Sequence, residues 1–240
     1  VDSYEIGFKK DFGHTLQFDA AAFYYNYTDL QAPVSSSICA SGTCTNVTRF
    51  VNIAQSRSYG LELDAIWQPI DHLQFSLDYS YNPTKILKSE QFVDLNDNHN
   101  FGTTANPLYF QPVSVVGNNL PQAPRNKIAI NGNYTFVLDQ GKLNIGANFL
   151  WRDKAYSNIF TQRWNMAPSW SQVDLRASFT PTSNKYQVIV YVKNVGNTLG
   201  YDSAASGSNR DPANFPINTG YNTSNTPPRT YGIEVHYKFF

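Results

Sequence analysis

The chain has 240 residues, with 18 Lys and Arg balanced by 18 Asp and Glu, and a mean hydropathy of −0.41. This composition gives no basic stripe for nucleic acid and no acidic tail, and no apolar run is long enough for a membrane-spanning helix. Aromatic residues make up 15% of the chain. Transmembrane barrels concentrate aromatics in girdles at both membrane interfaces, although composition alone equally allows a Tyr-rich soluble β protein.

Apolar and polar residues alternate along most of the chain. Leu73, Phe75 and Leu77, for example, share one face of their segment, while Asp78 lies on the other. A period of two predicts half-buried strands, and no segment has the period of a helix. Within 186–195 the apolar residues run continuously, so the face of each is ambiguous. The pattern predicts nine strands, at 2–12, 15–30, 49–67, 73–85, 125–137, 143–156, 170–181, 186–195 and 229–240.

Short and long connections alternate between these strands. Short turns lie at 13–14, 69–72, 139–142 and 182–185, and long segments at 31–48, 86–124, 157–169 and 196–228. Outer-membrane barrels have short periplasmic turns and long extracellular loops. The predicted fold is therefore an all-β, antiparallel transmembrane barrel. Because such barrels have an even number of strands, nine strands predict that earlier ones precede this chain.

Two groups of side chains are candidates for function. Polar residues on the inward alternation are expected to line the lumen, either facing a ligand or simply forming a hydrated wall; they are Glu62, Asp64, Asp78, Asn131, Asn133, Asn144, Asn148, Asp174 and Arg176. Near the outer loop 157–169, the predicted ligand-binding residues are Arg152, Arg163, Trp164 and Trp170. Arginine grips carboxylates or phosphates and indoles stack on planar ligands, although the tryptophans equally fit an outer aromatic girdle.

Cys39 and Cys44 lie close together in a Ser/Thr-rich segment, SSSICASGTCTNV. In a secreted context this spacing predicts a disulfide. A metal site would need further ligands, and no His lies nearby. We therefore predict a disulfide here and no metal site.

Several segments together resemble the TonB-dependent receptors of the bacterial outer membrane. PRTYGIEVHYKFF resembles the closing strand of that family, and VKNVGNTLGYDS resembles its penultimate hairpin. The central strand of the family has a Gly-hydrophobic-Glu sequence, here Gly60, Leu61 and Glu62. NNLPQAPRNKIAI and VDSYEIGFKKDF resemble two further strands. Each motif is weak singly, but their order and spacing are specific.

The resemblance implies a barrel of about 22 strands closed by an upstream plug domain. Residues 1–240 would supply its last nine strands or so, and the plug and earlier strands would lie outside this sequence. The implied function is active uptake of a scarce ligand, such as a ferric siderophore or another small organic or glycan nutrient. The implied partners are outer-membrane lipids, the TonB complex acting through the upstream region, the barrel assembly machinery and a small-molecule ligand. No cofactor is implied.

The chain terminus carries the expected assembly signal, formed by Tyr237, Phe239 and Phe240. In the family a single terminal Phe usually continues the outward alternation. Here Phe239 continues it and Phe240 adds one residue, so the final strand is either offset or tolerant of the extra ring.

The alternatives to a receptor are a small complete porin or adhesin barrel, a soluble carbohydrate-binding sandwich and an enzyme. A small complete porin or adhesin barrel would need an even strand count, and a soluble carbohydrate-binding sandwich would bury one face of each strand. The four His residues are scattered, and the motifs HExxH, GxSxG, GxGxxG and the Walker loop are missing from the sequence. The sequence therefore predicts a transport receptor and no enzyme.

Overall fold

A computed structural model describes residues 1–13, 15–40, 43–94, 112–206 and 221–239, with side chains at all of them except 35–40, 43–46, 164, 205–206 and 221–222. No helix in these ranges is long and apolar enough to cross a membrane. One 3₁₀ helix spans Arg163–Asn165. The strands are β1 (Asp2–Asp11), β2 (Leu16–Ala40), β3 (Thr43–Ile70), β4 (Leu73–Tyr81), β5 (Thr84–Lys88), β6 (Gln91–Val93), β7 (Pro112–Ser114), β8 (Asn126–Leu138), β9 (Gly141–Arg152), β10 (Ala155–Tyr156), β11 (Met166–Ala167), β12 (Trp170–Pro181), β13 (Tyr186–Lys193), β14 (Tyr201–Ser206), β15 (Tyr221–Asn225) and β16 (Thr230–Tyr237).

Ten of these strands form one antiparallel sheet, in which nine follow the order β1-β2-β3-β4-β8-β9-β12-β13-β16 and β5 pairs with β3 off this path. Each predicted strand is present and pairs with its predicted neighbours along the chain. The shorter strands belong to the long connections, where β6 pairs with β7, β10 with β11 and β14 with β15. The prediction of nine meandering strands is therefore confirmed.

The pairing register carries one apolar face across the whole sheet. Leu77 lies opposite Ile130, which lies opposite Phe149 on the next strand, and Phe149 lies opposite Val173. Apolar side chains on this face are exposed to a degree unusual in a water-soluble protein, and Ile6 is 75% exposed. A face of this kind is the surface that a transmembrane barrel presents to lipid.

The register also resolves β13, whose alternation was ambiguous in the sequence. Val190 lies opposite Ala177 of β12 and Ile233 of β16, which puts it on the apolar face. Ile189 consequently lies on the polar face, opposite Glu234, where it is only 3% exposed. The pairing of β13 with a strand on each side therefore determines which of its side chains lie on which face, which a continuous apolar run in the sequence cannot do.

The strand bounds predicted on either side of the long connection 31–48 are wrong. β2 and β3 are 25 and 28 residues long, and they remain paired in one register as far as Ala40 and Thr43. A tilted strand crosses the membrane in about 9–11 residues, so the hairpin projects well beyond the bilayer. Its Ser/Thr-rich sequence resembles a loop, but the two halves satisfy each other's backbone hydrogen bonds. The predicted strand 73–85 is similarly interrupted, since β4 ends at Tyr81 and β5 resumes along the edge of β3.

The outer connections pack around a small apolar core. Its buried members come from the β2–β3 hairpin and from three other segments, and they are Ala32, Val34, Ile53, Ile86, Val115, Ile159 and Phe160. The Asn118 side-chain amide donates to the Ile159 carbonyl at 2.8 Å, and the Ile86 amide donates to the Asn118 carbonyl at 2.8 Å. The described outer segments are therefore joined to one another rather than independent.

Gly60 occupies a position in β3 that has no room for a side chain. A Cβ there would overlap the Tyr81 carbonyl oxygen and lie 3.0 Å from the Phe23 ring, which covers the glycine from the adjacent strand. Gly232 is similar, because a Cβ would lie 2.6 Å from the Tyr191 hydroxyl oxygen. Glycines inside strands often mark such close approaches.

We predict that Gly60→Ala destabilises the barrel by about 1–3 kcal/mol, the usual cost of overpacking. Gly7→Ala is the matched control, because a Cβ at Gly7 would make only an ordinary 3.5 Å contact with Ala20. Urea unfolding of the purified protein in detergent, followed by tryptophan fluorescence, measures both. Equal losses in the two variants would contradict the steric explanation.

The predicted disulfide lies outside the described side chains, but the backbone places Cys39 directly opposite Cys44. Directly opposed residues of antiparallel strands have the Cα separation that a disulfide needs. We therefore predict that non-reducing peptide mass spectrometry of the purified protein recovers the two cysteines as one linked species. Recovery of both as alkylated thiols without a reductant would disprove the disulfide.

Candidate functional site

The second face of the sheet is polar, and it is the lumen face of the barrel wall. Asn131, Asn148 and Asp174 lie in one row across β8, β9 and β12. Many of these groups bond to one another, as when the Asn131 amide donates to the Ser76 hydroxyl at 3.2 Å. The nine residues predicted to line the lumen all lie on this face, as the strand register requires.

An open depression of about 380 Å³ lies on the lumen face of β8, β9, β12, β13 and β16. Five of its polar residues are among those predicted from the sequence to line the lumen, namely Asn131, Asn133, Asn148, Asp174 and Arg176. Tyr191, Lys193 and Glu234 also line the depression but were not predicted from the sequence. The ambiguous alternation of β13 hid the first two, and the pairing of β13 with β16 is the signal that places all three.

A buried asparagine fixes the outer end of this depression. Asn194 follows β13, is 1% exposed and has the left-handed φ of 53°. Its side-chain amide donates to the carbonyls of Thr198 at 2.9 Å and Pro227 at 3.1 Å, and its side-chain oxygen accepts from the Thr198 amide at 2.8 Å. Its own backbone amide donates to Asp174 at 2.8 Å. Asn194 thereby joins β12 of the wall, through Asp174, to Thr198 and Pro227 in the segment between β13 and β16.

The predicted ligand-binding residues are only partly brought together. Arg152 and Trp170 face each other across β9 and β12, with the guanidinium 5.6 Å from the centre of the indole ring. Arg163 is exposed in the 3₁₀ helix, and its side chain has no described partner. The side chain of Trp164 lies outside the described residues. The ligand-binding role of all four stays a prediction.

Arg152 already has a structural role at the outer rim. Its guanidinium donates to the carbonyl oxygens of Tyr201 and, at 3.0 Å, of Asp202, which holds the start of β14 against β9. Trp170 is packed closely against Gly200, where a Cβ would lie 2.8 Å from the indole. Of the two arginines, the exposed Arg163 is therefore better placed than Arg152 to meet a ligand.

The chain terminus carries its aromatics on the apolar face. Tyr237 lies opposite Tyr186, and its ring is 5.1 Å from the Phe239 ring in an edge-to-face contact. Both rings are exposed. Phe240 lies outside the described residues, so its effect on the last strand stays untested. Among the described residues, no group of three or more His, Cys, Asp or Glu is arranged to hold a metal.

A sheet of nine long antiparallel strands, apolar on one face and polar on the other, is part of the wall of a transmembrane β-barrel. Residues 1–195 match the family described as TonB dependent receptor-like, beta-barrel. The chain therefore belongs to the TonB-dependent receptor family, which consists of transport receptors of the bacterial outer membrane. No curated protein sequence matches it.

Solved structures of the same fold cover nearly all of the chain. The ferric yersiniabactin uptake receptor FyuA from Yersinia pestis superposes with a TM-score of 0.69 at 16% identity, over 99% of this chain and 30% of FyuA. The siderophore receptor PiuA from Acinetobacter baumannii gives 0.66 at 18% identity, over 97% and 27%. The copper transporter OprC gives 0.64 at 15% identity, over 99% and 30%. The chain thus spans less than a third of the length of each, and identities this low establish the fold alone.

We predict that Asn194→Ala destabilises the barrel by about 1–3 kcal/mol, because it leaves buried backbone groups without partners. Asn144→Ala is the control, since Asn144 donates one hydrogen bond, to Thr135 at 2.9 Å. Asn144→Ala should therefore lower the free energy of unfolding by about 1 kcal/mol or less. Urea unfolding in detergent gives both values, and a larger loss for Asn144→Ala would refute the special role of Asn194.

Proposed function

We propose that the receptor containing this chain actively takes up a scarce ligand across the outer membrane, such as a ferric siderophore or another small organic or glycan nutrient. The observation that carries the proposal is the nine-stranded wall with its polar lumen face, within a family of transport receptors. FyuA is named a ferric yersiniabactin uptake receptor and PiuA a siderophore receptor, and both names support iron complexes as the first ligands to test. OprC, named a copper transporter, is a reason to test other cargo.

In this proposal the chain forms the closing portion of a larger barrel. The plug domain, and the segment that contacts the TonB complex, would lie in a part of the receptor upstream of these residues. Lipid would contact the apolar face, and the barrel assembly machinery would recognise the terminal strand through Tyr237 and Phe239. The receptor would bind and release its ligand unchanged, without enzymatic chemistry.

Ligand capture is assigned to the outer rim. Arg163 is exposed at the outer end of the wall, in a connection held by bonds such as that of the Ser157 amide to the Asn165 carbonyl at 2.8 Å. A guanidinium on an ordered connection loses less entropy on binding than one on an unrestrained chain. Arg163 is therefore the residue whose loss should weaken binding with little effect on folding.

Uptake is tested in cells in which the full-length receptor is the only outer-membrane receptor for iron complexes. We expect growth under iron limitation on at least one ferric siderophore, and loss of that growth when TonB is deleted. Active uptake requires coupling to the inner membrane, so growth independent of TonB would show passive permeation instead. Failure to grow on a broad panel of ferric siderophores would exclude iron complexes as the transported ligand. The other small organic or glycan nutrients would then be tested.

Arg163→Gln should weaken binding of the transported complex about tenfold, the loss expected for one hydrogen bond to a charged group. Lys154→Gln is the matched control, because Lys154 is another exposed cation at the outer end of the wall. Binding of the radiolabelled complex to whole cells measures both. A similar change in the two variants would assign the effect to net charge and not to Arg163.

A further inference from the structure

Charges on the lumen face are separated into two halves. The half on β1 to β4 carries one cation, Lys9, paired with Asp19 at 3.3 Å. By strand register its carboxylates are Glu5, Asp11, Asp19, Glu62, Asp64 and Asp78. The half on β8 to β16 has the opposite balance. Its cations are Lys127, Lys142, Arg152, Arg176 and Lys193, and its carboxylates are Asp174 and Glu234.

The 380 Å³ depression lies in the basic half and contains two of its cations. Arg176 lies directly opposite Tyr191, and the Lys193 ammonium is 5.4 Å from the centre of the same ring. Within the described parts of the chain, neither cation forms an ion pair with a carboxylate. Both are exposed to the lumen. Arg176 and Lys193 therefore both lie beside the Tyr191 ring, and neither has a described anionic partner.

The two carboxylates of the depression already have partners. One oxygen of Asp174 accepts from the Gln172 side chain and from the Asn194 backbone amide, each at 2.8 Å. Glu234 lies 3.5 Å from the His236 ring nitrogen. None of these contacts involves Arg176 or Lys193, so both cations stay available to a further anion.

Amide donors complete the surroundings of the two cations. Asn133 and Asn148 line the same depression, and Asn133 is exposed. Cations combined with carboxamide N–H groups are suited to oxyanions, which accept several charge-assisted hydrogen bonds at once. A volume of about 380 Å³ falls in the range of small-molecule sites.

We propose that this depression is an oxyanion site, in which Arg176 and Lys193 bind a carboxylate or a comparable group. One source of that group is the transported ligand, and in this form the inference rests on the proposed uptake function. The other source is a carboxylate of the receptor's own polypeptide lying in the lumen. Either occupant places its negative charge against β12 and β13, away from the acidic half of the wall.

The test uses citrate as the oxyanion probe and the full-length receptor purified in detergent. Equilibrium dialysis of radiolabelled citrate at low ionic strength measures the affinity, because salt screens such contacts. For a small-molecule site, wild type binds citrate and the double variant Arg176→Gln/Lys193→Gln binds it about tenfold more weakly. The matched control is Lys127→Gln/Lys142→Gln, which removes the same charge from the same face outside the depression. We expect that control to lose less than about twofold.

Thermal unfolding of the same three proteins identifies the source of the oxyanion. If a carboxylate of the receptor fills the site, wild type does not bind citrate, and Arg176→Gln/Lys193→Gln lowers the Tm by several degrees more than the control. Equal losses of citrate affinity in both double variants would overturn the proposal. The proposal would also be overturned if wild type fails to bind citrate and the two double variants have equal Tm values. Growth on ferric siderophores tests uptake separately, so the two proposals fail independently.

Discussion

The whole structure depends on the need to satisfy backbone hydrogen bonds where no water is present. Within a bilayer an unpaired amide or carbonyl costs several kcal/mol, so each strand must be paired along its membrane-spanning length. Pairing fixes register, and register fixes which side chains meet lipid and which meet the lumen. The apolar face that runs from Leu77 through Ile130 to Val173, and the polar face behind it, both follow from this constraint.

The same constraint explains where sequence analysis succeeds and where it fails. Alternation locates the long strands of the wall other than β13, because each strand of a barrel wall separates an apolar medium from a polar one. It fails for Val188 to Val192, where the sequence has no contrast and only the neighbouring strands assign the faces. Alternation also fails to predict the strand residues within 31–48. Beyond the membrane, a paired ribbon rich in Ser and Thr does not need alternating apolar and polar side chains.

The candidate site shows a similar division. The polar residues of β8, β9 and β12 follow from alternation, and these include Arg176. The depression itself does not, because it forms only when β13 and β16 bring Lys193 and Glu234 beside β12. At the outer rim, residue type alone suggested a ligand site at Arg152. The structure shows that Arg152 bonds to backbone carbonyls, which residue type cannot indicate.

The bonds of Asn194 also bear on how the wall is built. Its partners belong both to the connection after β13 and, through Pro227, to the segment just before β16. The Arg229 amide in turn donates to the Asn197 side chain at 3.0 Å. These contacts cannot all form until β16 has docked against β13. The docking of the final strand therefore also holds residues 194–198 and 226–229 together, on the opposite side of the membrane from the terminus of that strand.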